Sequence, residues 1–251
     1  MVKYELKGST AVITIDRPEV RNAVDKETAD ELKEAWDRFD NDEDALVGIL
    51  TGEGEDAFSA GADLKKMDLK DRPEGYLGFT RTRVDKPTIA AVEGYCVAGG
   101  LEMALWCDMR VASETAVFGC LERRYGVPLM DGATQRLPRI IGLGRALDLI
   151  LTGREIGAEE AHDWGLVNRV VEEGEALEEA LETARVIASF PQQTVRTDRS
   201  AVYDGLGETL DSGLKVEAWH GSRSLSTAYE GAKRFSVSED EKRDEDNREN
   251  P

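Results

Sequence analysis

Histidine occurs only twice, at His162 and His220, and cysteine three times, at Cys96, Cys107 and Cys120. Two histidines argue against a His-based metal centre or a Ser-His triad, and no metal site is expected. The cysteine spacings fit neither a zinc site nor a redox pair, so the thiols are expected to be reduced and packed. Basic charge is short as well. Lys and Arg number 32 against 51 Asp and Glu, a formal charge of −19. With no basic stripe interleaved with aromatics, nucleic acid is not expected as a partner. Long apolar runs are missing too: Glu93, Glu102 and Asp108 interrupt the longest candidate, and the start MVKYELKGST carries no apolar signal segment. A soluble, cytoplasmic protein with no membrane partner is expected.

The chain is long enough, at 251 residues, for one sizeable core or a core with an appendage. The excess of Asp and Glu, with 11 Lys against 21 Arg, resembles the surface of a protein from a high-salt cytoplasm, where self-repulsion is screened.

One stretch organises the rest: Val92 to Asp108, VEGYCVAGGLEMALWCD. It ends a β-branched run, passes Gly94 and the Gly99-Gly100 pair, and enters a helix from Leu101. Adjacent glycines permit close backbone approach, and the first amides of a helix have no internal partner. Glu102 lies one turn inside. A carboxylate beside free amides suits acid–base chemistry on a polarised carbonyl, although the helix dipole alone also favours glutamate there.

In chain order, Ala11 to Ile15 reads as a strand, Asp25 as the cap of an amphipathic helix over Glu27 to Asp40, and Leu46 to Leu50 as a buried strand. Ala57 to Lys65, AFSAGADLK, offers a second cluster of amides at Ala60-Gly61-Ala62, followed by helix-compatible residues. Met67 to Tyr76 reads as a mobile connection or short distorted helix lining a cleft. Met109 to Ala112 is a further strand. Glu175 to Ser189 carries a helical stripe that stops at Pro191, and Leu210, Leu214, Leu225 and Ala228 mark helical segments beyond it. From Ser236 the charged tail lacks apolar anchors and is expected to be disordered.

The chain resembles the crotonase superfamily, the enoyl-CoA hydratase/isomerase family. The resemblance rests on Arg17-Pro18, Arg21-Asn22-Ala23, AFSAGADLK, KPTIAAVEGYCVAGGLEMAL, FGCLERRYGVPLMDGATQRL and RALDLILTGREIGAEEAHDWGLVNRVV, in that order across Ala11 to Val171. It implies an α/β fold: a crotonase-like spiral of ββα units over residues 1–190, which holds an acyl-CoA site. A helical C-terminal oligomerisation region over 191–235 and the tail at 236–251 would follow, in a homotrimer or hexamer. Coenzyme A would enter as part of the substrate thioester, with no permanently bound cofactor.

The resemblance assigns the oxyanion hole to the amides of Ala62 and Gly99, and the coenzyme A side to Ala23, Ala60, Asp63, Leu64 and Lys65. For hydration of a 2-enoyl-CoA it assigns water activation to Glu102 and proton donation to Glu122. Two features depart from the family pattern. Leu121 replaces the usual proline before the second glutamate and the basic pair Arg123-Arg124 follows, which would favour an ionised Glu122. The connection from Met67 to Lys86 is also shorter than usual. Asp131 is the competing acid, because the turn around it brings it towards the cleft. Alternatives to the hydratase are an isomerase using one glutamate, a thioester hydrolase, and a non-catalytic binding member.

Overall fold

The computed structural model describes residues 1–236. They fall into two compact units, Met1–Ala188 and a second beginning at Ser189.

The first unit is built on a six-stranded sheet. Strand β1 (Val2–Lys7) pairs antiparallel with β2 (Thr10–Ile15) across a tight turn in which Gly8 takes a positive φ of 61°. From β2 the sheet runs parallel through β3 (Val47–Gly52), β4 (Thr88–Val92), β6 (Met109–Ser113) and β9 (Arg169–Val171), in that spatial order. Parallel strands need long crossovers, and here the first crossover is helix α1 (Lys26–Asn41), where Asp25 accepts from Thr28 N at 2.9 Å as the N-cap.

Strand side chains alternate between two cores, as the two-residue period demands. Ala11, Ile13, Ile15, Leu50, Ala90, Val92 and Ala112 share a cluster with Leu32, Trp36 and Phe39 of α1. Val12, Ile49, Ile89, Ala91 and Val111 face the other way, onto helix α6 (Ala176–Ala188). Ala176, Ala180 and Ala184 recur every four residues along α6, and their small side chains let the helix lie close on the sheet.

A small second sheet explains how the chain winds. Strand β5 (Tyr95–Val97) pairs parallel with β7 (Val117–Gly119), which pairs antiparallel with β8 (Glu155–Gly157). Bridges Ala57↔Gly94 and Ser59↔Cys96 add residues 57–59 to it. Ser59, Cys96, Phe118 and Ile156 thus form one rung across successive turns. Each of two turns reads strand in the large sheet, strand in the small sheet, then helix: β4, β5 and α2 (Gly99–Trp106), and β6, β7 and, after a 3₁₀ turn at Leu121–Tyr125, α3 (Ala133–Ile141). Helix α4 (Leu143–Thr152) and α5 (Ala158–Asp163) complete the unit.

Two expectations need correction. No helix follows AFSAGAD: residues 64–66 form a turn, because the Asp63 carboxylate accepts from Lys65 N at 3.1 Å and competes with helical pairing. The helix in the central stretch begins at Gly99, two residues earlier than Leu101.

The second unit contains α7 (Gln192–Gly205), α8 (Leu210–Ser222) and helical residues 225–236. His220 Nε2 lies 2.8 Å from the Asp204 carboxylate between α7 and α8. Ser236, the first residue of the expected disordered tail, is helical, and the rest of that tail lies outside the described residues.

Candidate active site

The rung of the small sheet sets the site. Ala62 and Gly99 follow Ser59 and Cys96 by three residues each, so the stacking of those two places both amides at one end of the spiral. The approach is close. A Cβ on Gly61 would stand 2.5 Å from Gly99 N, and one on Gly99 would stand 3.1 Å from Gly61 Cα. Gly61 also has φ +83°, so the position needs glycine twice over. Gly100 serves packing instead: a Cβ there would meet Ser59 O at 2.1 Å.

Before α2 the chain turns sharply through Ala98, at φ 53° and ψ −127°. A side-chain-bearing residue there is strained, and the Ala98 N bond to Gly119 O at 2.9 Å holds it. At the far end of α2 the buried Arg110 guanidinium donates to Cys107 O at 2.8 Å and Ala104 O at 3.3 Å, satisfying the helix's last carbonyls. Because α2 is buried from Gly100 to Trp106, its one carboxylate has little access to bulk water.

That carboxylate, Glu102, is 3% exposed. Its Oε1 accepts from Asp131 N at 2.9 Å and Ala133 N at 3.0 Å, at the N-terminus of α3. Burial pushes its pKa up to about 7; the facing Asp131 and Glu122 carboxylates add to the rise, and the amide of Ala133 opposes it. Glu122 is also buried. Among the described residues neither of its oxygens has a hydrogen-bond partner.

The arginines that follow Glu122 turn away to other partners. Arg123 Nε donates to Ile150 O, and Arg124 reaches Gly153 O and the Glu155 carboxylate. Burial raises the Glu122 pKa, and its own backbone amide and then the Arg123 charge offset only part of that. The local letters suggested an ionised surface acid, whereas stacking of the spiral decides the burial.

Asp131 is buried, but its carboxylate is engaged: Oδ1 accepts from Leu77 N at 3.3 Å and from the Thr80 hydroxyl. Opposite, residues 21–24 run beside 60–63 through Ala60 N to Arg21 O at 2.9 Å, Val24 N to Gly61 O at 2.7 Å and Asp63 N to Val24 O at 2.8 Å. Arg17 clamps this side, donating to Ala23 O and lying 3.0 Å from Asp25 and 3.2 Å from Asp63. Burial alone would raise the Asp25 carboxyl; Lys66, Thr28 and Arg17 outweigh it and hold it well below the usual range.

Ala23, Ala60, Ala62, Asp63, Leu64 and Lys65 line the same cavity as Gly99, Glu102, Glu122 and Asp131, with a volume of about 880 Å³. All ten residues singled out in the sequence meet there. From the stretch expected to line a cleft, Met67, Leu69 and Tyr76 are on the wall; Leu77, Val97, Leu121 and Met130 complete its apolar part and were not singled out as lining residues. The few apolar residues of Met67 to Tyr76 have no periodicity, so which of them reach the cavity was not legible in the sequence. Arg17 stood inside a quoted motif, but nothing local signalled its clamp. The backbone at Ala62 and Gly99 lines one cavity with two buried carboxylates, a combination that suits stabilising an oxyanion while moving protons at a neighbouring carbon.

The Enoyl-CoA hydratase/isomerase family model matches residues 5–247. The chain is 40% identical over 225 residues to the short-chain-enoyl-CoA hydratase of Clostridium acetobutylicum, covering 86% of each protein. It is 41% identical over 237 residues to a mevalonyl-coenzyme A hydratase of Aspergillus fumigatus, covering 89% of this chain and 87% of that one. Among solved structures, enoyl-CoA hydratase from Mycobacterium tuberculosis H37Rv superposes with a TM-score of 0.89 at 36% identity, covering 94% of this chain and 96% of that one. Sequence and fold agree over nearly the whole length, and the chain belongs to the enoyl-CoA hydratase/isomerase family.

Proposed function

We propose that the protein is an enoyl-CoA hydratase that adds water across the 2,3 double bond of a 2-enoyl-CoA. The observation that carries this reading is the pair of buried glutamates, Glu102 and Glu122, on one cavity with the Ala62 and Gly99 amides. The thioester oxygen takes hydrogen bonds from those two amides, so negative charge has a place to develop when a nucleophile attacks C3. Glu102, ionised, accepts a proton from water as its oxygen bonds to C3. Glu122, protonated, delivers a proton to C2, and the double bond's electron pair forms that C–H bond. Their surroundings differ as this division needs: the amides of Asp131 and Ala133 hold Glu102 Oε1, whereas the buried Glu122 carboxyl has no hydrogen-bond partner from another described residue. Ala23 and the 60–65 turn take the coenzyme A side.

The one-base isomerase is the weaker reading, since it leaves the unpartnered Glu122 without a task. Crotonyl-CoA hydration by the Glu122→Gln and Asp131→Asn variants tests the choice. Glu122→Gln is expected to abolish hydration while Asp131→Asn keeps most of it; the reverse result moves the acid to Asp131. If neither matters while Glu102→Gln stops a 3-enoyl to 2-enoyl shift, isomerisation is the better account.

The working form is a homotrimer or hexamer in a salt-rich cytoplasm. Exposed apolar side chains in the second unit support the assembly, Leu206, Leu210, Leu214 and Trp219 among them. The acid excess supports the salt, and no helix among the described residues is long and apolar enough to cross a membrane.

A further inference from the structure

Asp131 joins three parts of the cavity. Its backbone N donates to Glu102 Oε1 at 2.9 Å, and its carbonyl accepts from Arg136 Nη1 at 2.9 Å. Its Oδ1 accepts from Leu77 N and the Thr80 hydroxyl, and Arg136 Nη2 closes a ring by donating to Thr80 O at 2.6 Å. The fit is tight: a Cβ on Gly75, at φ +101°, would lie 2.6 Å from Asp131 Oδ1. Leu77 in turn covers the oxyanion turn, since a Cβ on Gly99 would lie 2.9 Å from Leu77 Cδ1.

We infer that Asp131 is a positioning residue that locks the Leu77–Thr80 wall of the cavity to the carboxylate of Glu102. The surface against which an acyl chain packs and the group that activates water are then set by one residue. The inference rests on the reading of Glu102 as the water-activating base. Loss of the lock frees the Asp131 peptide to turn and withdraws one of the two donors that fix Glu102. A displacement of about 1 Å in a reacting group is enough to cost roughly 10²-fold in rate.

The charges around this lock define a readout that a merely structural role would not move. Glu102 is faced by the carboxylates of Asp131 and Glu122 and by the Cys120 thiol, with the amides of α3 at its Oε1. Arg136 faces Asp131 through its carbonyl, and Tyr76 lines the same cavity. An asparagine at 131 keeps an acceptor for Leu77 N and Thr80 but removes a negative charge that faces Glu102. The pKa of Glu102 should therefore fall, and the acidic limb of kcat/KM should move to lower pH.

Crotonyl-CoA hydration measured across pH for the full-length variants, with thermal melts to confirm folding, tests this. Asp131→Ala is expected to lower kcat by roughly 10- to 100-fold, and Asp131→Asn by less than about 5-fold with the limb shifted downwards. Thr80→Val, which cuts the lock without touching a charge, should lower kcat by about 10-fold and leave the limb in place. It keeps the test open if Asp131→Ala does not fold. An Asp131→Asn variant as inactive as Asp131→Ala, an unmoved limb in it, or parental kcat in either lock-breaking variant overturns the inference. Glu102→Gln separates the two levels: if it retains turnover, the reading of Glu102 fails, whereas its inactivity beside an unaffected Asp131→Ala removes only the lock.

Discussion

At the scale of single residues, the two buried glutamates tie activity to stability with opposite signs. Glu102→Gln should keep the fold and remove roughly 10²- to 10⁴-fold in turnover, the usual effect of losing a positioned acid or base. The same change should stabilise the protein in mild alkali. A carboxyl raised from its ordinary 4.5 to about 7 in the fold contributes stability that is complete below 4.5 and lost as pH rises through 7. A glutamine side chain carries no such dependence, so the variant's melting advantage should grow between pH values near 5 and near 8, towards a limit on the order of 3 kcal/mol. A constant difference across that range would mean that Glu102 is not buried as described. For the parent enzyme, the acidic limb of kcat/KM should lie near 7, because Glu102 must be ionised to take a proton from water. The role of Glu102 was legible in its place one turn into a helix after Gly99-Gly100, whereas the burial of Glu122 was not, because Arg123 and Arg124 pointed to an ionised acid; both arginines reach carbonyls on the α4–β8 side instead.

Among the elements, those that read clearly in the sequence are the ones buried on both faces. Strands β2, β3 and β4 are continuous apolar runs because each lies between α1 or α2 on one side and α6 on the other. Strand β1 escaped notice as an edge strand: Lys3, Glu5 and Lys7 face outwards, and only Val2 and Tyr4 pack on the core. Strands β5 and β7 are three residues each, too short for any period, and their pairing joins residues some twenty positions apart or more. The turn before α2 is where element geometry and chemistry meet most tightly. Gly61→Ala would force a Cβ at φ +83° against Gly99 N, so it should cost about 1–3 kcal/mol of stability from backbone strain alone and displace the Gly99 amide proposed to bind the thioester oxygen. A melt and a turnover assay check it, and a fully active, equally stable variant would show that the two amides do not act as a pair.

On the scale of the whole molecule, charge and assembly govern behaviour. Repulsion among 51 acidic groups is screened within about 3 Å at 1 M salt but only over about 10 Å at 0.1 M, so the melting temperature should rise between those conditions. Equal melting at both would remove the high-salt reading. Sedimentation at micromolar concentration in high salt should give a trimer or hexamer, and a monomer would sink the proposed assembly. The three cysteines add a property of a different kind. Cys96, Cys107 and Cys120 are all buried, outside any disulfide and confined to the first unit, and burial pushes Cys96 well above the ordinary thiol range and Cys120 to about 12. A thiol-labelling reagent therefore meets no accessible sulfur until the spiral itself opens. The labelling rate becomes a clock for that opening alone, blind to any fraying of the C-terminal helices, and it needs no engineered probe.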